Sequence, residues 1–189
     1  VRAAGKKIKI TLFDSLQSDI TYTVDFSDAI EDNNEGNPMG FYTYSFSTGP
    51  VIDTMEMSGH VIAAENLEPV KGMLVGLYRA DSTYDDSLFR TKSFVRVSRT
   101  NGSGQFTIKG IAPGKYRIFA LNDGDGNYRF SQKSEAIAFD TTIYIPSSRP
   151  DLRMDTCWRD SIYYDSIRVV PYTHYFPDNI VLRSFLEGK

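Results

Sequence analysis

The 189-residue sequence has few of the residues that mark several common protein classes. It contains one cysteine, Cys157, which excludes an internal disulfide and a cysteine-based metal cluster. Only two histidines are present, and no segment matches a phosphate-binding P-loop. The longest apolar runs, such as residues 73–78, are far shorter than the ~18 residues of a membrane-spanning helix. We therefore expect neither a disulfide scaffold, nor a P-loop nucleotide site, nor a transmembrane segment.

The sequence also lacks an excess of positive charge. Lys and Arg number 21 against 24 Asp and Glu, which gives a formal net charge of −3 at pH 7. Proteins that bind the phosphate backbone of nucleic acids usually carry clustered basic residues, so we expect no nucleic-acid partner. The chain begins at Val1 rather than at Met, and we expect it to be a processed or excised part of a longer protein.

Aromatic residues, by contrast, are abundant. They make up 13% of the chain, with 12 Tyr and 12 Phe, and these types favour β-strands. Alternation of polar and apolar residues predicts strands over residues 7–12, 20–26, 41–46, 55–62, 94–98, 105–108, 115–121 and 142–145. Residues 70–78 are rich in apolar residues and predict a further, central strand. Turn-forming residues separate these runs, and no amphipathic helix or βαβ unit is evident. The pattern predicts an all-β chain built as an antiparallel β-sandwich.

Two stretches of the sequence resemble known bacterial modules. The first comprises TYTVDF (21–26), AIED (29–32), EGNP (35–38) and YSFSTG (44–49). It resembles the C-terminal part of a bacterial Ig-like domain that occurs in envelope lipoproteins of Bacteroidetes. The second comprises SGHV (58–61), VGLY (75–78), TNGSGQF (100–106) and GIAPGKY (110–116), and it resembles the carboxypeptidase-regulatory-like, or prealbumin-like, β-sandwich. The segments FALND (119–123) and EAIAF (135–139) are similar to the version of this module in the same lipoproteins.

The resemblance implies a domain organisation and a function. Residues 1–52 would be the C-terminal part of an Ig-like domain, and residues 53–146 a prealbumin-like sandwich of about seven strands. Residues 147–189 would be a connector leading to the start of a further domain. The implied function is a non-catalytic structural or adhesive module of a larger cell-envelope lipoprotein. Its expected partners are other domains of the same polypeptide and a cell-surface glycan or protein.

Residues 123–127 alternate acids with glycines, and Asp123, Asp125 and Asn127 supply side-chain oxygens. Oxygens at alternate positions resemble the start of a calcium-binding loop. An EF-hand also needs a Glu at position twelve, which here is Ser134, and Glu135 comes one residue later. A sharp Asp/Gly hairpin loop has the same composition and needs no ion. We therefore expect no cofactor and no large calcium effect, with calcium held by Asp123, Asp125 and Asn127 as the alternative.

The aromatic residues of the connector are candidates for ligand binding. Exposed tyrosines at Tyr163, Tyr164, Tyr172 and Tyr175 could form a platform for a glycan or a peptide. The alternative is that these side chains pack the connector against the sandwich and cover its edges. Binding of a glycan or peptide by the connector is therefore the second functional hypothesis.

Catalytic chemistry has little support in the sequence. Neither His60 nor His174 accompanies a Gly-x-Ser-x-Gly nucleophile motif, and Cys157 has no nearby His in sequence. Lys71 is a candidate for an isopeptide bond to an Asn side chain, but the sequence does not identify the partner residue. Several acids occur in predicted loops, where we expect a solvated surface: Asp81, Asp85, Asp86, Asp151, Asp155, Asp160 and Asp165. We expect the chain not to be an enzyme.

Overall fold

The fold is known from a computed structural model, which describes residues 2–4, 7–13, 15–26, 29–32, 34–37, 39, 42–160 and 163–188. Only the backbone is described for residues 2–4, 157–160 and 163–165. The elements are, in chain order, β1 (Arg2–Ala4), β2 (Lys7–Lys9), β3 (Thr21–Asp25), β4 (Thr43–Ser47), β5 (Met55–Ala63), β6 (Leu74–Arg79), α1 (Leu88–Thr91), β7 (Arg96–Arg99), β8 (Gln105–Ile111), β9 (Tyr116–Leu121), β10 (Ala136–Phe139), β11 (Ser147–Asp160), β12 (Tyr163–Phe176) and β13 (Ile180–Leu186). The predicted all-β class is confirmed.

The largest sheet has seven strands in the order β7-β6-β9-β10-β13-β5-β8. Its neighbouring strands are antiparallel, except that β13 runs parallel to β5. Three two-stranded sheets, β1-β2, β3-β4 and β11-β12, complete the described part of the chain. The structure therefore combines one large sheet with three separate hairpins.

Strand β13 connects the two halves of the large sheet. Its first residues pair with β5, from Ile180 opposite Gly59 to Ser184 opposite Ala63, and its last two residues pair with β10. The sheet folds over at this strand and encloses a core of fully buried side chains, among them Met57, Leu77, Phe106, Ile118 and Leu182. At the two outer edges, Arg96 Nε on β7 donates to the carbonyl oxygen of Gly110 on β8 at 2.8 Å. This contact joins the edges across the open side of the sandwich.

A second cluster of apolar residues covers the outer face of β6, β9 and β10. Alternation along a strand puts Tyr116 into the main core and Phe119 on this outer face, as their odd separation predicts. Phe89 on α1 stacks on Phe119 with ring centroids 4.9 Å apart. Tyr78 Oη donates to the carbonyl oxygen of Lys92 at 2.6 Å, so the short helix and the segment after it are fixed against the sheet.

The hairpin of β3 and β4 contacts the sandwich at Thr21, which is 2% exposed. Its hydroxyl accepts a hydrogen bond from the backbone amide of Asp53 at 2.9 Å. Its carbonyl oxygen accepts one from Arg96 Nη2 at 2.5 Å. Gly110 has φ +68°, and a Cβ built there would lie 2.5 Å from the Cγ2 atom of Thr23, so only glycine allows this close approach. We call these contacts of Thr21, Thr23, Asp53, Arg96 and Gly110 the joint.

The segment after residue 146 differs from the expected connector. It forms a hairpin of two 14-residue strands, β11 and β12. Polar and apolar residues alternate over much of both strands, as is typical of paired strands. Strand β13 follows, and it lies inside the seven-stranded sheet rather than apart from it. The strand predicted at residues 142–145 is absent: only an isolated bridge joins Tyr144 to Tyr116, and the neighbouring strand is Ala136–Phe139 instead.

Candidate functional site

An acidic cluster lies in the loop between β9 and β10. Asp123, Asp125 and Glu135 each place one carboxylate oxygen within 4.8 Å of the others. Within this loop, Gly126 and Tyr128 both adopt the left-handed backbone region, with φ of +75° and +61°. Within the described residues, no Lys or Arg forms an ion pair with any of the three acids.

Glu135 is the buried member of this cluster, with 3% of its surface exposed. Its Oε2 atom accepts hydrogen bonds from the backbone amides of Ser131 and Gln132, at 2.9 and 3.0 Å. Its Oε1 atom is buried and has no hydrogen-bond partner. An unsatisfied buried acceptor costs about 1–3 kcal/mol, and more when it is charged. A cation bound to Oε1 would offset this cost.

The two aspartates are held in place by the loop. Asp123 accepts from the backbone amides of Gly126 and Tyr128, at 3.0 and 3.1 Å. Asp125 accepts from the side chains of Asn127 and Ser131, at 2.7 and 3.0 Å. Desolvation raises the pKa of Asp125, but hydrogen bonds from Asn127, Ser131 and Gln132 outweigh it and keep the pKa below its usual value. Hydrogen bonds therefore hold the side chains of both acids in place.

The structure changes the membership of the predicted site. Asp123 and Asp125 come together as the spacing suggested. Asn127, however, donates its side-chain amide to Asp125, while its Oδ1 atom accepts from the backbone amide of Arg129 at 2.7 Å. Glu135 supplies the third carboxylate, although it comes one residue after position twelve of an EF-hand loop. The signal available in the sequence was its position immediately before the strand Ala136–Phe139.

Sequence reasoning also missed an aromatic cleft on the outer face of the sheet. The cleft has a volume of about 400 Å³, and its aromatic lining is Tyr84, Phe89, Phe119, Phe130 and Phe139. Phe139 is 48% exposed and lies opposite Phe119, with ring centroids 6.2 Å apart. The cleft and the acidic cluster share the loop that carries Phe130, whose ring stacks on Phe89 at 5.7 Å.

Polar groups surround this cleft. Arg117 lies over the ring of Tyr84, 4.7 Å from its centroid, and Arg90 lies over Phe130 at 4.4 Å. Tyr84 donates to Asp86 at 2.9 Å, and burial together with this carboxylate raises the pKa of Tyr84 to about 12. The lining therefore combines aromatic faces with charged groups of both signs.

The connector aromatics do not form a single platform. Tyr172 and Tyr175 are three residues apart on β12 and so point to opposite faces of the hairpin. Tyr172 shares its face with His174 and Phe176, whose rings stack in series, at 5.7 and 4.2 Å between centroids. The side chains of Tyr163 and Tyr164 lie outside the described residues.

His174 lies between two carboxylates at the base of the hairpin. Its Nε2 atom is 2.8 Å from Asp178 and its Nδ1 atom is 3.1 Å from Asp151. The hydrogen bond to Asp178, and then the one to Asp151, raise the pKa of His174 above its usual value. The imidazole thus links β12 to β11 and to the turn before β13.

The remaining candidates are not brought together. His60 is exposed on β5, and Lys71 is exposed beside the start of β6. Neither histidine is hydrogen-bonded to a Ser or Cys within the described part of the chain. The side chains of Cys157, Asp160 and Asp165 lie outside that part. Asp81 and Asp85 accept hydrogen bonds from the loop amides of Thr83 and Ser87, as residues that stabilise turns do.

Comparison with known proteins gives the following similarities. Residues 1–48 match the family described as bacterial Ig-like domain. The chain is similar to a solved structure of the T6 backbone pilin of serotype M6 Streptococcus pyogenes, with 12% identity and a TM-score of 0.30. That match covers 73% of this chain and 33% of the pilin chain, so this chain spans about a third of the pilin's length. No curated protein matches the sequence. In the part that the structure describes, no helix has the length and apolar character needed to cross a membrane.

Proposed function

We propose that this chain is a non-catalytic structural or adhesive module of a larger bacterial cell-envelope protein, in which it spaces and presents other domains. The match of residues 1–48 to a bacterial Ig-like domain supports this assignment. The proposal includes a boundary at residue 52 and the prealbumin-like, carboxypeptidase-regulatory-like character of the sandwich that follows it, to which β13 also belongs. It also includes attachment to the envelope as a lipoprotein of the type found in Bacteroidetes.

The observation that carries the proposal is the joint between the N-terminal hairpin and the sandwich. Arg96 donates to backbone carbonyls of two different units, Thr21 on β3 and Gly110 on β8. The amide of Asp53, in the chain that links the two units, donates to Thr21. Two units joined by a linker move relative to one another unless contacts between them restrict the motion, and these hydrogen bonds favour one relative orientation. A module that spaces other domains needs such a fixed orientation.

The test is a replacement in the full-length parent protein. Residues 1–189 are exchanged for a flexible Gly/Ser linker of equal length, and a point variant, Arg96→Met, is made in parallel. We expect both changes to leave secretion intact and to reduce antibody access to the domains that follow, more strongly for the linker. Unchanged presentation with the flexible linker would contradict the structural role.

A second function, binding of a glycan or a peptide, is favoured by the aromatic cleft. Phe139 and Phe185 are 48% and 40% exposed, and their rings meet edge to face at 6.0 Å. Exposed aromatic faces bordered by charged groups suit the apolar faces and hydroxyls of a sugar ring. This location replaces the connector as our preferred site for such a ligand.

A glycan and peptide array distinguishes the two locations. For a ligand bound in the cleft, we expect Phe139→Ala to reduce binding at least tenfold and Tyr175→Ala to leave it unchanged. The reverse result would assign the ligand to the hairpin that carries Tyr163, Tyr164, Tyr172 and Tyr175. No specific ligand on the array would count against the binding function.

A further inference from the structure

We propose that Asp123, Asp125 and Glu135 bind a calcium ion in the loop between β9 and β10. Their carboxylate oxygens lie within 4.8 Å of one another, which is the spread expected of oxygens around one Ca²⁺ at 2.3–2.6 Å. This site goes beyond the proposed structural function, and it differs from the expectation of a loop without an ion.

The free oxygen of Glu135 is the observation that favours an ion over a plain acidic loop. Glu135 is 3% exposed, its Oε2 atom is satisfied by two backbone amides, and its Oε1 atom has no partner. A hairpin loop needs no buried carboxylate, and this one faces two further acids. A cation would neutralise the charge that the cluster gathers, and Oε1 is available to it as a ligand because no hydrogen bond occupies that oxygen.

The donor set selects the kind of cation. All three ligands are carboxylates, and no His or Cys belongs to the group, so a hard cation is preferred over Zn²⁺ or Cu²⁺. Asp125 is exposed while Glu135 is buried, so water can complete the coordination on the open side. Ca²⁺ accepts six to eight oxygens in flexible geometry, whereas Mg²⁺ needs a near-ideal octahedron. An irregular loop with one open side therefore favours Ca²⁺.

Binding would act on the aromatic cleft through the same loop. Between Asp125 and Glu135 the chain carries Phe130, whose amide donates to the carbonyl oxygen of Phe89 at 3.0 Å. The Phe130 ring is 3% exposed and stacks on Phe89. An ion that joins the two ends of this loop would hold Phe130 in place as one wall of the cleft.

Thermal unfolding is the first test. We expect millimolar CaCl₂ to raise the melting temperature over that in chelator by roughly 5–10 °C, once free Ca²⁺ is about a hundred times the Kd. We expect MgCl₂ at the same concentration to give a clearly smaller rise. Equal melting temperatures in calcium and in chelator would overturn the proposal, and equal effects of the two metals would overturn its selectivity.

Terbium luminescence tests the location independently of stability. Tb³⁺ is a Ca²⁺ probe that nearby tyrosines sensitise, and Tyr128 belongs to the same loop, with its backbone amide donating to Asp123 at 3.1 Å. We expect emission from the native chain that Ca²⁺ displaces. Glu135→Gln and Asp125→Asn should each weaken Tb³⁺ binding at least tenfold, and Glu65→Gln, at an exposed acid outside the loop, should not.

Asp125→Asn protects the test against a folding defect, because Asp125 is exposed whereas Glu135 is buried. Limited trypsin digestion adds a readout of the loop itself, since Arg129 and Lys133 are exposed within it. We expect calcium to slow cleavage after both residues in the native chain and not in Asp125→Asn. The assignment would be overturned if Asp125→Asn and Glu135→Gln bound Tb³⁺ as tightly as the native chain does. It would also be overturned if Glu65→Gln lost as much Tb³⁺ emission as these two variants.

Discussion

Arg96 Nη2 donates a hydrogen bond to the carbonyl oxygen of Thr21, 75 residues away in the chain and 2.5 Å away in space. The same guanidinium donates through Nε to Gly110. Burial lowers the pKa of Arg96 from its usual value, and the nearby Asp53 opposes this effect. A partly buried arginine thus contacts both the N-terminal hairpin and the two edges of the sandwich.

Substitution Arg96→Met keeps much of the side-chain length and removes the donors. We expect a loss of about 2–4 kcal/mol in the free energy of unfolding, because the carbonyl oxygens of Thr21, Gly110 and Val95 lose a charged donor. The melting temperature should fall by roughly 5–15 °C. Arg183→Met, at an exposed position of β13, is the matched control and should change stability by less than about 0.5 kcal/mol. A similar loss in both variants would show that the joint contributes nothing of its own.

Gly59 tests whether β13 belongs to the sandwich. A Cβ at Gly59 would lie 2.0 Å from the carbonyl oxygen of Ile180 and 2.7 Å from its carbonyl carbon, so β5 and β13 would have to separate. We expect Gly59→Ala to destabilise the chain by about 3 kcal/mol or more, as measured by chemical denaturation. Gly102→Ala, where a Cβ meets nothing within 4 Å, should be nearly neutral. If Gly59→Ala were as stable as Gly102→Ala, the parallel pairing of β13 with β5 would be wrong.

His174 should report on the base of the hairpin through its titration. Because carboxylates raise its folded pKa, its contribution to stability is complete below the unfolded value of 6.5 and is lost as pH rises through the folded pKa. The pKa of Asp151 is lowered, first by the Leu152 amide and then by His174, so its contribution is lost as pH falls through its folded pKa. Both contributions are complete between the unfolded pKa of Asp151, 3.8, and that of His174, 6.5, so the hairpin base is most stable in this pH range.

An NMR titration of the imidazole measures this effect directly, and a His60→Gln background leaves a single histidine signal. We expect a pKa above 6.5, a fall toward 6.5 in Asp178→Asn, and a smaller fall in Asp151→Asn. Asp155→Asn is the control, since Asp155 pairs with Arg153 at 2.9 Å. A His174 pKa at or below 6.5 in the native chain would contradict the described contacts.

The sequence predicted much of the fold from local alternation. The strands around Met57 and Ile118 were predicted because apolar residues recur at every second position there, and the strand around Leu77 because residues 70–78 are rich in apolar residues. The placement of β13 was not predictable, since pairing of Ile180 with Gly59 is decided by contacts across 121 residues rather than by local pattern. Residues 147–176 were expected to belong to a connector, and the long hairpin β11-β12 was not predicted, because Pro150 and Pro171 are uncommon inside paired strands.

The candidate site was predicted in part, for similar reasons. Asp123 and Asp125 follow from the spacing of oxygens along the loop. Glu135 was set aside because it comes one residue after position twelve of an EF-hand loop, whereas the loop here leads into a strand and has a different spacing. The aromatic cleft requires Phe89, Phe130 and Phe139 from three separate segments, and no local pattern relates them.

The most direct test of the structural role is a distance between the two units that the joint connects. Spin labels at Tyr44→Cys on β4 and Val181→Cys on β13, both exposed positions, are introduced in a Cys157→Ser background and measured by double electron–electron resonance. We predict one narrow distance distribution in the native background and a broad one after Arg96→Met. A broad distribution in the native background would contradict a fixed joint, and with it the proposal that this chain orients other domains.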